Sequence, residues 1–258
     1  MSEAHSDYEP ARRQRIPVPG AGVQRISNYV GGLPRWRRPF MHAKTQVAAP
    51  ARNAVALSKL LVPEGANGSY PGKRVMDVAV AVGLLLLLLP VMGLVWLAVR
   101  MTSKGPGLIW SERVGRFGRV FLMPKFRSMR TDAPILPREA LPDPKVYDTS
   151  IGAFLRKSSL DELPQLWSIV IGDMSLVGPR PLIRQDSEMH TLRARGSVYR
   201  ARPGMTGAAQ VNGRNLVENK AKVALDEQYV ERASLLLDLR LILKTVLVLS
   251  RPSMVMMF

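Results

Sequence analysis

Between Val78 and Val99 the chain reads VAVAVGLLLLLLPVMGLVWLAV, a run without a single charged residue. As a straight α-helix it would reach ~33 Å, enough to cross a hydrocarbon layer of ~30 Å. The consecutive leucines Leu84–Leu89 leave such a helix no polar face, so a soluble home would have to bury it on every side. A domain built from part of 258 residues rarely provides that. The segment is read as a membrane helix, and the rest of the chain has to be arranged around it.

The flanks decide how that helix sits. Pro90 falls just past its middle, withdraws one backbone donor and biases Leu89 away from helical geometry. Gly83 and Gly93 add backbone freedom. Lys and Arg gather on the cytoplasmic side of membrane helices. Here Lys73 and Arg74 precede the run, while Arg100, Lys104, Arg113, Arg116 and Arg119 follow it. A straight span would export one of these clusters. A helix that enters, bends at Pro90 and returns to the same face keeps both inside, so residues 73–101 are expected to form a re-entrant membrane helix.

Charge points the same way. Lys and Arg number 37 against 20 Asp and Glu, a net charge of +17, which suits anionic lipid or a phosphate-rich ligand. In residues 1–72 basic residues are scattered among Pro, Gly and Ala without sustained apolar periodicity. Such a stretch buries too little apolar area to offset its chain entropy. It is expected to be a basic, largely disordered tail with a short helix near residues 53–61. It has no compact apolar core behind a basic start, so it does not read as a cleaved signal peptide. Residues 251–258 form a second, short tail.

Residues 102–250 have the pattern of a small mixed domain. Leu108–Trp110 and Val120–Met123 flank the turn Gly115–Gly118 and predict a short hairpin. The stretch Thr131–Asp148, rich in Pro and Asp, reads as a loop. Leu163, Leu166, Trp167, Val170 and Ile171 predict an amphipathic helix closed by Gly172. Leu235–Leu249 is strongly apolar but carries Asp238, Arg240 and Lys244. It is too charged to span easily, and it reads either as a core helix or as one lying in the membrane interface.

The chain has no Cys, which removes disulfides, thiol nucleophiles and Cys-bound metals. His5, His42 and His190 lie far apart, so polar chemistry falls to carboxylates, hydroxyls, Lys or Arg. Asp161 and Glu162 stand side by side where the amphipathic helix begins. Ser159 and Glu162 have capping-box spacing, so an ordinary helix start is one reading. Pro164 and the cations nearby fit that reading poorly. Neighbouring helical residues point about 100° apart, so the two carboxylates are better placed to divide labour than to share a proton. Cations sit around them in rigid frames: Lys125 and Arg127 about Phe126, Arg156 before the acids, Arg180 between prolines, and Arg202 and Arg214 in Gly-containing turns. A guanidinium held in place suits bidentate phosphate contacts.

Together Lys73–Asp77, Lys125–Met129, Ser159–Gln165, Gly172–Pro181, Arg202–Gln210 and Gly213–Asn215, continued by Tyr229 and Asp238–Lys244, carry a resemblance. Over roughly residues 73–250 the sequence resembles the monotopic polyprenyl-phosphate phosphoglycosyl transferases, a family of bacterial sugar transferases. The resemblance implies an α+β, mostly helical fold: a monotopic membrane protein with one Pro-bent re-entrant membrane helix, amphipathic interfacial helices and a small cytoplasmic catalytic domain carrying a short β-hairpin. It implies a place on the cytoplasmic face of the bacterial inner membrane. It also implies transfer of a sugar 1-phosphate from a nucleotide diphosphate sugar, expected to be a UDP-sugar, to polyprenyl (undecaprenyl) phosphate.

The family's acidic dyad falls on Asp161, as nucleophile forming an aspartyl phosphosugar, and on Glu162, as ligand of Mg²⁺. Lys125, Arg127, Arg156, Arg180, Arg202 and Arg214 become candidate phosphate contacts. Anionic membrane lipids and downstream glycosyltransferases are the further partners expected. Two other classes of function fit the residues less well. A non-catalytic scaffold of polysaccharide assembly would have no need of Asp161. A membrane-tethered nucleic-acid binder would need aromatics interleaved with the basic patches, and that pattern is absent, so no nucleic acid is expected.

Overall fold

The structure is a computed structural model, and it describes residues 67–134, 136, 141–212 and 218–250. The expected tail thus lies outside the described residues up to position 66, as do the helix near 53–61, residues 251–258, and Arg214 with its motif.

The apolar run lies within α1, Lys73–Thr102, which continues unbroken through Pro90 and Leu89. Lys73, Asp77, Ala81, Val95 and Val99 are its buried positions, and Leu84, Leu85 and Met92 pack partly against the core. These positions are spaced as helical turns and define one stripe that meets the protein. The other faces are open: Leu86, Leu87, Leu89 and Leu94 are each more than 60% exposed. Only 11% of the most apolar stretch is buried, which sets α1 apart from the core helix of a soluble protein.

Both ends of α1 are tied to the same domain. At the start, Lys73 pairs with Asp238, while Asp77 accepts from the Ser175 hydroxyl at 2.7 Å and the Leu176 N–H at 3.1 Å. At the end, the Arg127 guanidinium donates to the Ser103 carbonyl at 2.8 Å, and the Ser150 hydroxyl donates to the Thr102 carbonyl at 3.3 Å.

The hairpin is present and longer than the alternation of apolar residues suggested. Strand β1, Leu108–Val114, pairs antiparallel with β2, Val120–Phe126. The turn between them holds Phe117 at φ 56°, with the Arg116 guanidinium 4.6 Å from its ring centre. Chain order then gives α2, Gly152–Lys157; α3, Gln165–Val170; β3, Ser175–Val177; and β4, Leu182–Ile183. After these come α4, Ser187–Ala194; β5, Gly204–Thr206; α5, Ala208–Val211; α6, Asn219–Arg232; and α7, Leu235–Leu249. Strand β4 adds to β1 as a third, antiparallel strand, and β3 pairs parallel with β5 in a second small sheet. The fold is mixed, with helices predominating.

One expectation is corrected in detail. The helix after the acidic pair starts later, and its inward face is Gln165, Leu166, Ser168 and Ile169, whereas Trp167 is 41% exposed. Ser168 is small enough to be covered and Trp167 is not, so the packed stripe falls one position away from the apolar residues that advertised it. Helix α7 buries Asp238 and Leu241 and exposes Leu235, Leu236, Leu239, Leu243, Val246 and Leu247. One side packs and the other is an apolar outer face, which agrees with the interfacial alternative and not with a wholly buried core helix.

A central cluster gathers Ala81 of α1, Phe121 and Met123 of β2, Leu166 and Ile169 of α3, and Tyr229 and Leu241. A second joins Val95 and Val99 to Phe126 and Leu155, with Leu160 and Leu163 packed against it.

Candidate active site

Asp161 and Glu162 are presented by a turn, not by a helix start. Helix α2 ends at Ser158, and Ser159 then adopts the left-handed region at φ 57°, ψ 16°. A single 3₁₀ turn, Leu160–Glu162, follows and leads through Leu163 and Pro164 into α3. The capping-box reading fails on geometry, because the Ser159 side chain makes no capping bond. A non-glycine residue in this region is strained, and such strain collects at functional sites.

In a 3₁₀ turn, residues i and i+3 eclipse. Leu160 and Leu163 therefore share one side and pack into the apolar cluster at the end of α1, while Asp161 and Glu162 face other ways. Helix α2 is held close to the end of β2 because a Cβ at Gly152 would collide with the Ser128 carbonyl oxygen.

Strand register supplies the cations. Directly paired residues share a face of a hairpin. Arg113 pairs with Phe121 and Ile109 with Lys125, so Arg113 and Lys125 lie on the same face. Both feel the charge of Glu162, and Lys125 also feels Asp161. Arg156 makes an ion pair with Asp148 and donates to the Ser128 carbonyl at 3.1 Å. Arg180, between its prolines, places Nη2 3.1 Å from Glu162 Oε1. Its carbonyl accepts from Arg193 Nη1 at 2.7 Å, and Arg193 is itself paired with buried Asp226 at 2.7 Å.

The structure thus brings together Lys125, Arg156, Arg180, Asp161 and Glu162 from the expected set, and adds Arg113. No local signal marked Arg113 in the sequence; its place depends on strands longer than the apolar alternation revealed.

Two other candidates lie elsewhere, and a third falls outside the described residues. Arg127 is buried, and its guanidinium donates to Ser103 at the end of α1. Arg202 donates through Nε to the Gly172 carbonyl at 3.2 Å, and its charge falls on Arg116 rather than on the acids. Arg214 lies outside the described residues.

The electrostatics of the acidic pair are unusual. Asp161 is 6% exposed, and burial followed by the neighbouring Glu162 charge pushes its carboxyl up to about 6, against pulls from Lys125, Arg156 and Arg180. Hydrogen bonding is not among the influences on that charge. Burial and the Arg113 charge hold the Lys125 ammonium below its usual range. Burial and Arg180 draw the Arg113 guanidinium down to about 10. A carboxylate that is withdrawn from water, still ionised at neutral pH and faced by cations is equipped to attack an electrophilic centre carrying negative charge.

No group of three or more His, Cys, Asp or Glu among the described residues forms a metal cage. Glu162, whose side chain is 17% exposed beside Arg180, suits a hard cation that takes one or two carboxylates and completes its shell with substrate oxygens and water. The residues present fit Mg²⁺ in that mode.

A carboxylate pair with cations around it thus lies where an exposed apolar helix meets a small mixed domain. Comparison with known proteins gives the class its name. The chain belongs to the bacterial sugar transferase family, whose model matches residues 69–252. It is 41% identical over 195 residues to the UDP-galactose-lipid carrier transferase of Erwinia amylovora, covering 67% of this chain and 39% of that protein. It is 38% identical over 212 residues to the exopolysaccharide production protein ExoY of Rhizobium meliloti, covering 74% and 92%. Over 183 residues it is 40% identical to the UDP-glucose:undecaprenyl-phosphate glucose-1-phosphate transferase of Caulobacter vibrioides, covering 67% and 68%. The matched region spans about two fifths of the Erwinia relative's length.

Proposed function

We propose that this protein transfers a sugar 1-phosphate from a nucleotide diphosphate sugar, a UDP-sugar, to polyprenyl phosphate, as the first membrane step in building an exopolysaccharide or related glycan. One observation carries the reading. A buried, unneutralised aspartate is ringed by cations and is held by two leucines packed onto the end of an exposed apolar helix. The names of the relatives, which specify UDP-sugars, undecaprenyl phosphate and exopolysaccharide, supply the substrates.

In this reading Asp161 attacks the phosphorus adjoining the sugar. The bond from that phosphorus to the bridging oxygen breaks, the nucleoside monophosphate leaves with the electron pair, and the sugar phosphate stays on Asp161 as an acyl phosphate. An oxygen of the polyprenyl phosphate then attacks the same phosphorus and releases the carboxylate, giving ping-pong kinetics. Lys125, Arg113 and Arg180 hold the diphosphate charge in a site where water screens it little. Glu162 would hold Mg²⁺, which neutralises diphosphate charge and steadies the leaving phosphate when bound.

The reading also covers topology. A straight α1 of ~45 Å could span a bilayer. Yet its two ends bond to one and the same domain, through Asp238 and Ser175 at one end and Arg127 at the other. That supports an entry and a return on the cytoplasmic face of the inner membrane, with Pro90 as the bend and the outer leucines of α7 in the interface. Anionic lipids would meet the basic flanks, and downstream glycosyltransferases would take the product.

Purified protein is to be given UDP-glucose and UDP-galactose with undecaprenyl phosphate, and the lipid product identified by mass spectrometry. Nucleoside monophosphate release with a lipid-linked sugar diphosphate is expected. Failure with every donor of a wider panel would leave the scaffold reading in its place. Glu162→Gln should raise the Mg²⁺ concentration needed for half-maximal rate by about tenfold or more. An unchanged metal dependence would remove Glu162 as ligand.

A further inference from the structure

The Arg180 side chain is 43% exposed where it meets Glu162, so little of the protein packs around its guanidinium. A long side chain in that setting is aimed chiefly by its own backbone. The Gly178–Pro181 segment carries that backbone from β3 to β4, and its two prolines offer no N–H to a neighbour.

The segment is clamped at both ends. Before Arg180, the Gly178 N–H donates to the Thr206 carbonyl and the Gly204 N–H to the Pro179 carbonyl, each at 2.9 Å. The backbones come this close because neither glycine has a side chain; a Cβ on Gly204 would lie 2.1 Å from the Gly178 nitrogen. After Arg180, Leu182 and Ile183 pair with Val114 and Arg113 of β1.

At Arg180 itself the hold comes from the interior. Its carbonyl accepts from Arg193 Nη1 at 2.7 Å, and Arg193 Nη2 donates to Asp226 Oδ2 at the same distance. Arg193 is 4% exposed and Asp226 1%, and Asp226 also accepts from the Ala209 N–H of α5. One planar fork thus ties α4, α5 and α6 to the backbone of the residue that faces Glu162. A buried ion pair is a poor way to gain stability, since apolar side chains of similar size often do as well or better. What Arg193 supplies that they cannot is a donor fixed toward two partners at once, and Lys has no such fork.

We infer that Arg193 is a positioning residue for the transfer: anchored by Asp226, it fixes the Arg180 backbone so that the guanidinium stays beside Glu162 and in step with Arg113 on the neighbouring strand. The assignment rests on the transferase reading above. Arg193 acts through Arg180 and is not itself a catalytic residue. A displacement of about 1 Å in a charge-holding group can cost ~100-fold in rate, so a strut behind Arg180 carries measurable kinetic weight.

The test is a double-mutant cycle in the full-length protein. Arg193→Lys keeps the charge and a donor but loses the fork. Arg193→Met combined with Asp226→Asn removes the pair without leaving a buried charge alone, and the amide still accepts from Ala209. Each is made in the parent and in Arg180→Ala. Donor-only release, the nucleoside monophosphate freed from UDP-glucose or UDP-galactose without acceptor, is followed as a single turnover per folded protein over a range of donor concentrations.

The paired variant is expected to slow release at saturating donor by about thirtyfold and Arg193→Lys by about fivefold, while the half-saturating donor concentration moves by less than about threefold. In Arg180→Ala neither is expected to slow release further by more than about twofold, because the group that the strut positions is gone. A slowing of the same size with and without Arg180 would overturn the assignment and leave Arg193 a structural residue. So would an unchanged rate for the Arg193 variants of the parent. If the paired variant does not fold, Arg193→Lys decides by the same two comparisons. A wild-type protein that releases no monophosphate from any donor would sink the transferase reading and this assignment with it, an outcome distinct from normal wild-type release with an additive cycle.

Discussion

Asp238 and Asp161 are both withdrawn from water, at 0% and 6% exposure, yet the protein treats them oppositely. Asp238 pairs with Lys73 and accepts from the Tyr229 hydroxyl at 2.8 Å and the Tyr70 hydroxyl at 3.0 Å. Each oxygen is engaged, and the result is a joint between α7 and the start of α1. Asp161 receives only longer-range pulls from Lys125, Arg156 and Arg180, and burial and Glu162 outweigh them. A buried carboxylate with its bonds satisfied fixes structure. One left short of partners stores free energy that a substrate can release. The comparison separates a carboxylate whose bonds are all engaged from one that is held in place by burial alone.

The contrast is best broken by exchanging each carboxylate for its amide. Asp161→Asn should lower turnover by about 10³-fold or more, while donor affinity stays within about threefold. Retained turnover would remove Asp161 as nucleophile. Asp238→Asn should instead destabilise the fold by about 3 kcal/mol, because Lys73 is left buried with a weakened partner, and should spare the rate per folded molecule. A matched loss of both would show the two sites to be one.

The sign of the pH effect sharpens the difference. The Asp161 carboxyl sits at about 6 in the fold against an ordinary 3.8, so the folded state keeps a proton that the unfolded chain has already released. The stability this supplies is complete below about pH 4 and is lost as pH rises through about 6. Asp161→Asn escapes that loss. Its thermal midpoint should match the parent near pH 4 and exceed it at pH 7–8, by the equivalent of about 2 kcal/mol. A lower midpoint at pH 8 would mean that the cations need the carboxylate for stability. Donor-only release should fall in parallel as pH drops below about 6.

The smallest effect belongs to the turn itself. Ser159→Gly relieves a left-handed backbone and should change stability by no more than about 1 kcal/mol, in the favourable direction. A larger loss would restore a capping role that the geometry denies it.

What the sequence disclosed follows from the range of the forces involved. The apolar run, the Gly115–Gly118 turn and the adjacent acids are local patterns, and each appears where local chemistry put it. Arg113 was hidden because its place depends on pairing across the hairpin, and two strands must be aligned before its face is known. Arg127 looked like a free cation, since nothing in Lys125–Met129 signals that its guanidinium folds back onto Ser103. The capping-box spacing at Ser159 misled for a related reason. Leu160 and Leu163 are drawn together into the cluster at the end of α1, and that tertiary packing favours a 3₁₀ turn over a regular helix start. The covered stripe of α3 was misplaced because burial there follows the space beside α1 rather than hydrophobicity alone.

The central claim is that Asp161 carries the sugar phosphate between its two bonds. Wild-type protein mixed with donor in the absence of lipid, quenched in acid and mapped by peptide mass spectrometry, examines that directly. The expected result is a sugar-phosphate mass on the peptide containing Asp161, lost on addition of polyprenyl phosphate and missing from Asp161→Asn. The same adduct on any other residue, or steady formation of lipid product with no adduct at all, would contradict it.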